Sequence, residues 1–362
     1  STSACQETTR LEQKIEQDTA AASKLETGLS LNNATLEQAN SKGQTLWKIK
    51  VTRAIYNPDK KTAQLENIAG NLFQDGKVVL QVSAKKGEVR QEAEEIFLRE
   101  KIIVTDPRNK ATFRSEEVEW HPKQDVLFVR QNLTGSHPQL EASAQAGKYY
   151  TRQQRLELIG NIIATAKDPR LQLKAEHLFW EIPQQKVIGD RPLNMVRYEG
   201  QTITDRVKGD RAQVNLQSKT AILQQNIEFK SLDPPVQLTA NTATWHYKQR
   251  LVTSTQPVQV FHYKDQITLT GNQVQVNLKD KIAYLKGGVH GVNKKDPAKL
   301  YANEAVWKIS AQQIEAAGNV TYEQTKPKFT STGDKAVGTL KDHKMIVSSN
   351  SRDRVVTEIF PE

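Results

Sequence analysis

Four tryptophans recur at near-equal spacing, Trp120, Trp180, Trp245 and Trp307, with gaps of 60, 65 and 62 residues. Each follows a stretch of alternating apolar residues. A period of this length marks an array of one structural unit, each copy resting on its neighbours. Such arrays act through an extended surface rather than a single pocket. Tyr150 lies midway between Trp120 and Trp180, and Val214 and Val276 lie close to the next two midpoints, so a half-period subdivides the unit.

Within the period the chain alternates, meets a two-residue step, and restarts. The step is Gly160-Asn161 between Leu156, Leu158 and Ile162, Gln225-Asn226 between Leu223 and Ile227, and Gly318-Asn319 between Ile314 and Val320. Looser copies are Gln131-Asn132 and Gly287-Gly288. Apolar residues at every second position predict a β-strand with one buried face. An extra residue at Gly-Asn predicts a β-bulge, because Gly and Asn tolerate the left-handed backbone that a bulge requires.

Composition fits strands buried on one face. The chain has 362 residues, 37% of them hydrophobic, which is low for one thick core but sufficient when half of each strand faces water. Turns are marked by Asn57-Pro58-Asp59, Asp75-Gly76, Asp106-Pro107, Asp168-Pro169, Asp233-Pro234-Pro235 and Asp296-Pro297. The expected body is all-β, an extended, twisted, open jellyroll of many short antiparallel strands running continuously over 25–362, with a possible subdivision near 185–210.

The N-terminus differs. From Gln6 to Lys24 there are helix formers, Leu11 and Ile15 at helical spacing, and neither Pro nor Gly, so 1–24 is expected to be a short helix or tether. Because the chain begins at Ser1, a membrane anchor or signal N-terminal to it is expected to have been removed. The single cysteine, Cys5, follows Thr2-Ser3-Ala4, small residues of the kind that precede a lipid-modified cysteine. Thr2 nevertheless stands where the usual large apolar residue belongs, which favours a free thiol. No run of eighteen apolar residues is present to span a bilayer.

A net charge of +10 suits a partner bearing phosphates, or simply a solvated basic face. Lys and Arg are spread over turns and outward strand positions, in clusters no longer than Lys60-Lys61, Lys85-Lys86 and Lys294-Lys295, so nucleic acid is not the expected partner. The seven histidines are far apart, and His121 and His246 simply follow a repeat tryptophan on the outward strand face. There is no phosphate-cradling glycine loop and no Gly-x-Ser-x-Gly elbow. No cofactor, metal or catalytic residue is expected, and the chain reads as a non-enzyme. The rival reading is a β-helical carbohydrate-active enzyme with a pair of carboxylates, although nothing singles out two of them. A structural scaffold is the other alternative.

Particular residues carry a resemblance. Leu29-Ser-Leu-Asn-Asn-Ala-Thr-Leu36, Gly43-Gln-Thr-Leu-Trp47-Lys-Ile49-Lys-Val51, Tyr56-Asn-Pro-Asp-Lys-Lys61 and Gly70-Asn71-Leu72-Phe73 resemble the start of LptC-type periplasmic proteins. Ala175-Glu-His-Leu-Phe-Trp180 and Ala302-Asn-Glu-Ala-Val-Trp307, each leading to an alternating run and a Gly-Asn step, resemble repeats of the LptA/OstA group. The resemblance spans about 25–350, with roughly twice the repeats of the shorter LptC proteins.

It implies a non-enzymatic bridge in the periplasm, anchored to the inner membrane, that accepts lipopolysaccharide from an inner-membrane ABC transporter and relays it toward the outer membrane. Two splayed sheets would form an apolar trough for acyl chains. Edge strands would pair with transporter subunits and with an LptA-like or outer-membrane LptD-like jellyroll. The inward, trough-lining candidates are Trp47, Ile49 and Val51; Val78, Leu80 and Val82; Ile96, Leu98, Ile102 and Val104; Leu127, Val129 and Leu133; Leu156, Leu158 and Ile162; Leu223, Ile227 and Phe229; Val258 and Val260; Leu285 and Val289; Val320 and Tyr322. Alternation alone does not separate a trough wall from an ordinary core.

Overall fold

The computed structural model describes residues 29–90, 92, 94–339, 344–349 and 356–359. They form twenty-eight β-strands and, among the described residues, no helix. The helix expected over 1–24, and Cys5, lie outside the described residues. The chain divides into two compact units, one of residues 1–162 with 179–184, the other of 163–178 with 185–362.

The first unit opens as an antiparallel meander of β1 (Leu29–Ala39), β2 (Thr45–Asn57), β3 (Thr62–Gln74), β4 (Lys77–Arg90), β5 (Glu95–Thr105) and β6 (Thr112–His121), each paired with the next. The β3–β4 turn needs Asp75-Gly76 because both residues have positive φ, 51° and 75°. This is the combination that lets a two-residue turn follow the right-handed twist of its strands. Next come β7 (Val126–Gln131) and β8 (Leu133–Ser136), then β9 (Leu140–Ala144) and β10 (Ala146–Tyr150). β7 and β8 both pair with β6, while β10 returns along β7 and β9 along β8. Each such couple is one strand bent in the middle.

β11 (Arg155–Ala166) and β12 (Leu171–Glu181) contribute to both units. The second unit continues with β13 (Lys186–Gly189), β14 (Leu193–Glu199), β15 (Thr202–Gly209), β16 (Arg211–Asn215), β17 (Thr220–Ser231) and β18 (Val236–His246). After them come β19 (Leu251–Ser254), β20 (Val258–His262), β21 (Ile267–Asn277), β22 (Ile282–Asn293), β23 (Ala298–Ala302), β24 (Glu304–Lys308), β25 (Gln313–Thr325), β26 (Lys328–Thr339), β27 (Lys344–Ser348) and β28 (Val356–Ile359). The same rule holds here. β17 pairs with β16 through its first half and with β15 through its second, and β25 does likewise with β24 and β23.

The bends fall at the two-residue steps. Gly160 and Asn161 have φ of 80° and 44°, Gln225 and Asn226 of 64° and 51°, Gly287 and Gly288 of 75° and 98°, and Gly318 and Asn319 of 80° and 47°. The ladders skip there: β17–β18 jumps from Gln224 to Ile227 and β25–β26 from Ala317 to Val320. Asn132 (φ 48°) separates β7 from β8 in the same way. The predicted bulges are therefore the corners at which each strand changes direction. The skip restores alternation, so the apolar face stays inside on both arms. One corner carried no Gly or Asn to announce it. Glu100 and Lys101 take φ of 64° and 48°, and the ladder skips from Arg99 to Ile102.

Bending brings the arms of a strand over those of others, and the interior closes between them. Phe113 on β6 meets Tyr149 on β10 at 4.8 Å between ring centres, although these strands do not pair, and His262 on β20 meets Trp307 on β24 at 6.0 Å. The tryptophan period now has a structural meaning. Counting each bent couple as one strand, Trp47 (β2), Trp120 (β6), Trp180 (β12), Trp245 (β18) and Trp307 (β24) stand on every fourth strand. The longer gap of 73 residues after Trp47 arises because β2 to β5 run to 11–14 residues each.

Candidate functional site

The inward faces are built by alternation. In β11 the burial alternates strictly from Leu156 through Leu158 and Gly160 to Ile162 and Ala164, with the outward residues partly or fully exposed. Every trough candidate from Trp47 to Val320 is buried except Val78, and most expose 3% or less. They pack as interior within their own unit. Val78 is half-buried because the β3–β4 ladder shifts between Leu72 and Phe73, which puts Val79 and Leu80 side by side inside. Tyr322 is also half-buried, for a different reason: it lines an opening.

That opening is a cavity of about 470 Å³ in the second unit, within the range that holds small ligands. Its apolar wall comes from Ile267 and Leu269 on β21, Leu300 on β23, Ile314 and Tyr322 on β25, and Met345 on β27. Lys295, Lys299, Lys326 and Lys344 also line it. Lys295 Nζ donates to the Lys264 carbonyl at 2.7 Å, whereas Lys299, Lys326 and Lys344 form no ion pair among the described residues. The Tyr322 hydroxyl is raised above the ordinary phenol range, first by burial and then by the Asp296 carboxylate, so it stays protonated and donates to Gln324 Oε1 at 3.4 Å. An apolar wall beside unpaired cations suits an amphiphile with an anionic head.

Each unit also buries a polar network. In the first unit Asp106, fully buried, accepts from Arg108 Nη2 at 2.7 Å and from the Tyr149 hydroxyl. Burial, followed by the charge on Asp106, pushes the Tyr149 hydroxyl up, which keeps it a donor. In the second unit Asp205, also fully buried, takes two bonds from Arg250 at 2.9 and 3.1 Å, and Arg250 continues to Ser231 Oγ at 3.1 Å. Charges this deep persist only when paired and hydrogen-bonded.

His121 lies between Glu95 at 3.0 Å and Glu119 at 3.1 Å, with its ring edge-on to Phe128 at 4.8 Å. Among the described residues no three His, Cys, Asp or Glu side chains gather where they would hold a metal ion. Two features escaped the sequence reading. The cavity lysines were invisible as a group because they come from different strands and turns; only Lys295 stood out, as half of a Lys-Lys pair. The second is that the indole N–H groups of Trp47, Trp120, Trp245 and Trp307 are buried with no acceptor among the described residues.

The family model described as "Lipopolysaccharide-assembly, LptC-related" matches residues 6–167 and 172–294. No curated protein matches the chain. Among solved structures, the chain is similar to LptH from Pseudomonas aeruginosa, described as the LptA homologous periplasmic component of the conserved lipopolysaccharide transport device. The identity is 17% over 43% of this chain and 95% of that one, with a TM-score of 0.22.

Proposed function

The chain belongs to the lipopolysaccharide-assembly, LptC-related family, and from that membership we propose that it is a non-enzymatic periplasmic component of lipopolysaccharide export that carries acyl chains along its apolar interior. It takes lipopolysaccharide from an inner-membrane ABC transporter and passes it toward the outer membrane. In this reading the fold is an open, twisted jellyroll, its free sheet edges docking transporter subunits and an LptA-like or LptD-like jellyroll by strand addition. An anchor N-terminal to this chain would hold it at the inner membrane.

The observation that carries the proposal is the cavity in the second unit. There the inward face departs from core packing and presents an apolar wall beside Lys299, Lys326 and Lys344. Each methylene moved from water onto such a wall contributes about 0.8 kcal/mol, and the three ammonium groups have no ion pair to leave among the described residues. The buried candidates from Trp47 to Val320 then form the interior that must loosen, unit by unit, to admit a chain.

Adjacent residues on β27 supply the test. Met345 lines the cavity, whereas Ile346 next to it is 67% exposed. A photo-crosslinking amino acid placed at 345 should capture lipopolysaccharide, and the same group at 346 should not. Equal capture at both positions, or none at 345, would remove the proposal.

A further inference from the structure

The indole N–H groups that recur along the interior lack an acceptor. Trp47, Trp120, Trp245 and Trp307 are each at most 3% exposed, and among the described residues their Nε1 atoms have no hydrogen-bond partner. Their cross-strand neighbours explain why. Trp120 lies between Ile96 and Leu127, Trp245 between Ala221 and Val252, and Trp307 between Ala283 and Ile314, none of which offers a side-chain acceptor. Trp47 stands between Leu72 and Gln38 and gains no bond from either. A buried donor without an acceptor is costly, and a smaller apolar side chain such as phenylalanine would bury no such donor. The arrangement occurs twice in each unit, always on a strand of the four-strand period, so it is a property of the repeat rather than one misplaced side chain.

We propose that these indoles are docking points for oxygen atoms borne by the transported acyl chain, such as an ester or amide carbonyl or a chain hydroxyl. The inference rests on the reading of the interior as the acyl path, and it adds the chemistry that the path recognises. A purely alkyl chain would slide past the tryptophans without engaging them. A chain with an oxygen along its length would be held at intervals, because that oxygen would otherwise be stripped of water with nothing to bond. Trp307 is the first such point reached from outside. Its cross-strand partner Ile314 lines the cavity, and His262, against which its ring packs, pairs with Ile267, another lining residue.

The test uses two fatty acids that differ only in a mid-chain ketone, octadecanoate and 12-oxooctadecanoate. Both are titrated against the wild-type chain, Trp307→Phe and Trp180→Phe, the last because the Trp180 indole nitrogen is not among the donors that are both fully buried and without a partner. The wild type should bind the keto acid as tightly as the plain one. Trp307→Phe should bind the plain acid unchanged and the keto acid about tenfold more weakly, while Trp180→Phe should keep the wild-type ratio. In the wild type labelled with ¹⁵N at its indoles, the Trp307 N–H resonance should move downfield with the keto acid only, a readout independent of how the variants fold. Equal weakening of both acids by Trp307→Phe, or an unmoved Trp307 resonance, would overturn the proposal and leave the acyl path standing. Failure of the wild type to bind either acid would overturn both together.

Discussion

Deletion of a single leucine distinguishes a packed interior from a permanently open trough. Leu158 on β11 is fully buried and pairs across the ladder with Gly147. Truncating a leucine in such a place removes its transfer free energy and leaves a cavity that the surrounding strands fill only in part, so Leu158→Ala should destabilise its unit by about 3 kcal/mol. For a unit of this size each kcal/mol moves the melting midpoint by roughly 2–4 °C, so the expected shift is about 6–12 °C. Arginine at this position would bury an unpaired charge, at a cost comparable to the whole stability of a domain, and would report only unfolding. Met345→Ala is the counterpart. It trims a half-buried cavity wall, should change stability by less than about 1 kcal/mol, and should weaken acyl-chain binding about fourfold, since roughly a methylene's worth of contact is lost. Differential scanning calorimetry and a fatty-acid titration on both variants provide the comparison. If Leu158→Ala melts with the wild type yet loses lipid, Leu158 faces an open channel and the packed-interior argument fails.

Arg250→Met strands the buried Asp205 carboxylate and should cost about 3–5 kcal/mol in chemical denaturation. Adding Asp205→Leu should recover most of that, and a double variant no better than the single one would show that the pair is not the cause. His137 and His262 are each held below the ordinary imidazole range, first by burial, and each uses Nδ1 to accept a backbone N–H, from Gln139 at 3.2 Å and Asp265 at 2.9 Å. The Asp265 carboxylate opposes the shift at His262, and Lys264 and Lys295 reinforce it. Between the depressed values and about 6.5 the unfolded chain binds more protons than the folded one. Stability should therefore be full above about pH 6.5 and fall as the pH drops through the depressed values. His137→Gln should flatten the fall in thermal melts at pH 5–7, and an unchanged slope would exclude His137 as a contributor.

Much of the fold was legible in the sequence because its signals are local. Period-two alternation places Leu156, Leu158 and Ile162 on one face whatever the strand pairs with, and Gly160-Asn161 or Gly318-Asn319 mark corners because a positive φ is inexpensive there. The Glu100-Lys101 corner escaped because its residues carry no such preference; the surrounding ladders impose the conformation. Val78 was assigned to the interior and lies half outside it, since a register shift opposite Leu72 and Phe73 is a property of two strands, not one.

The candidate site divides in the same manner. Which side chains face inward was written in the chain. Whether they touch one another or leave room for a ligand was not, because packing depends on how bent strands far apart in sequence come together. The cavity draws Ile267, Leu300, Tyr322 and Met345 from four strands. The tryptophan period was visible from the start, and Trp47 extended it back to the first unit, but a period counts residues and the fold counts strands, so its irregular spacing of 73 is explained only once β2 to β5 are seen to be long. That the indole N–H groups have no acceptor is a statement about everything around them. A hydrogen bond is satisfied or left open by the whole tertiary structure, and by no sequence motif.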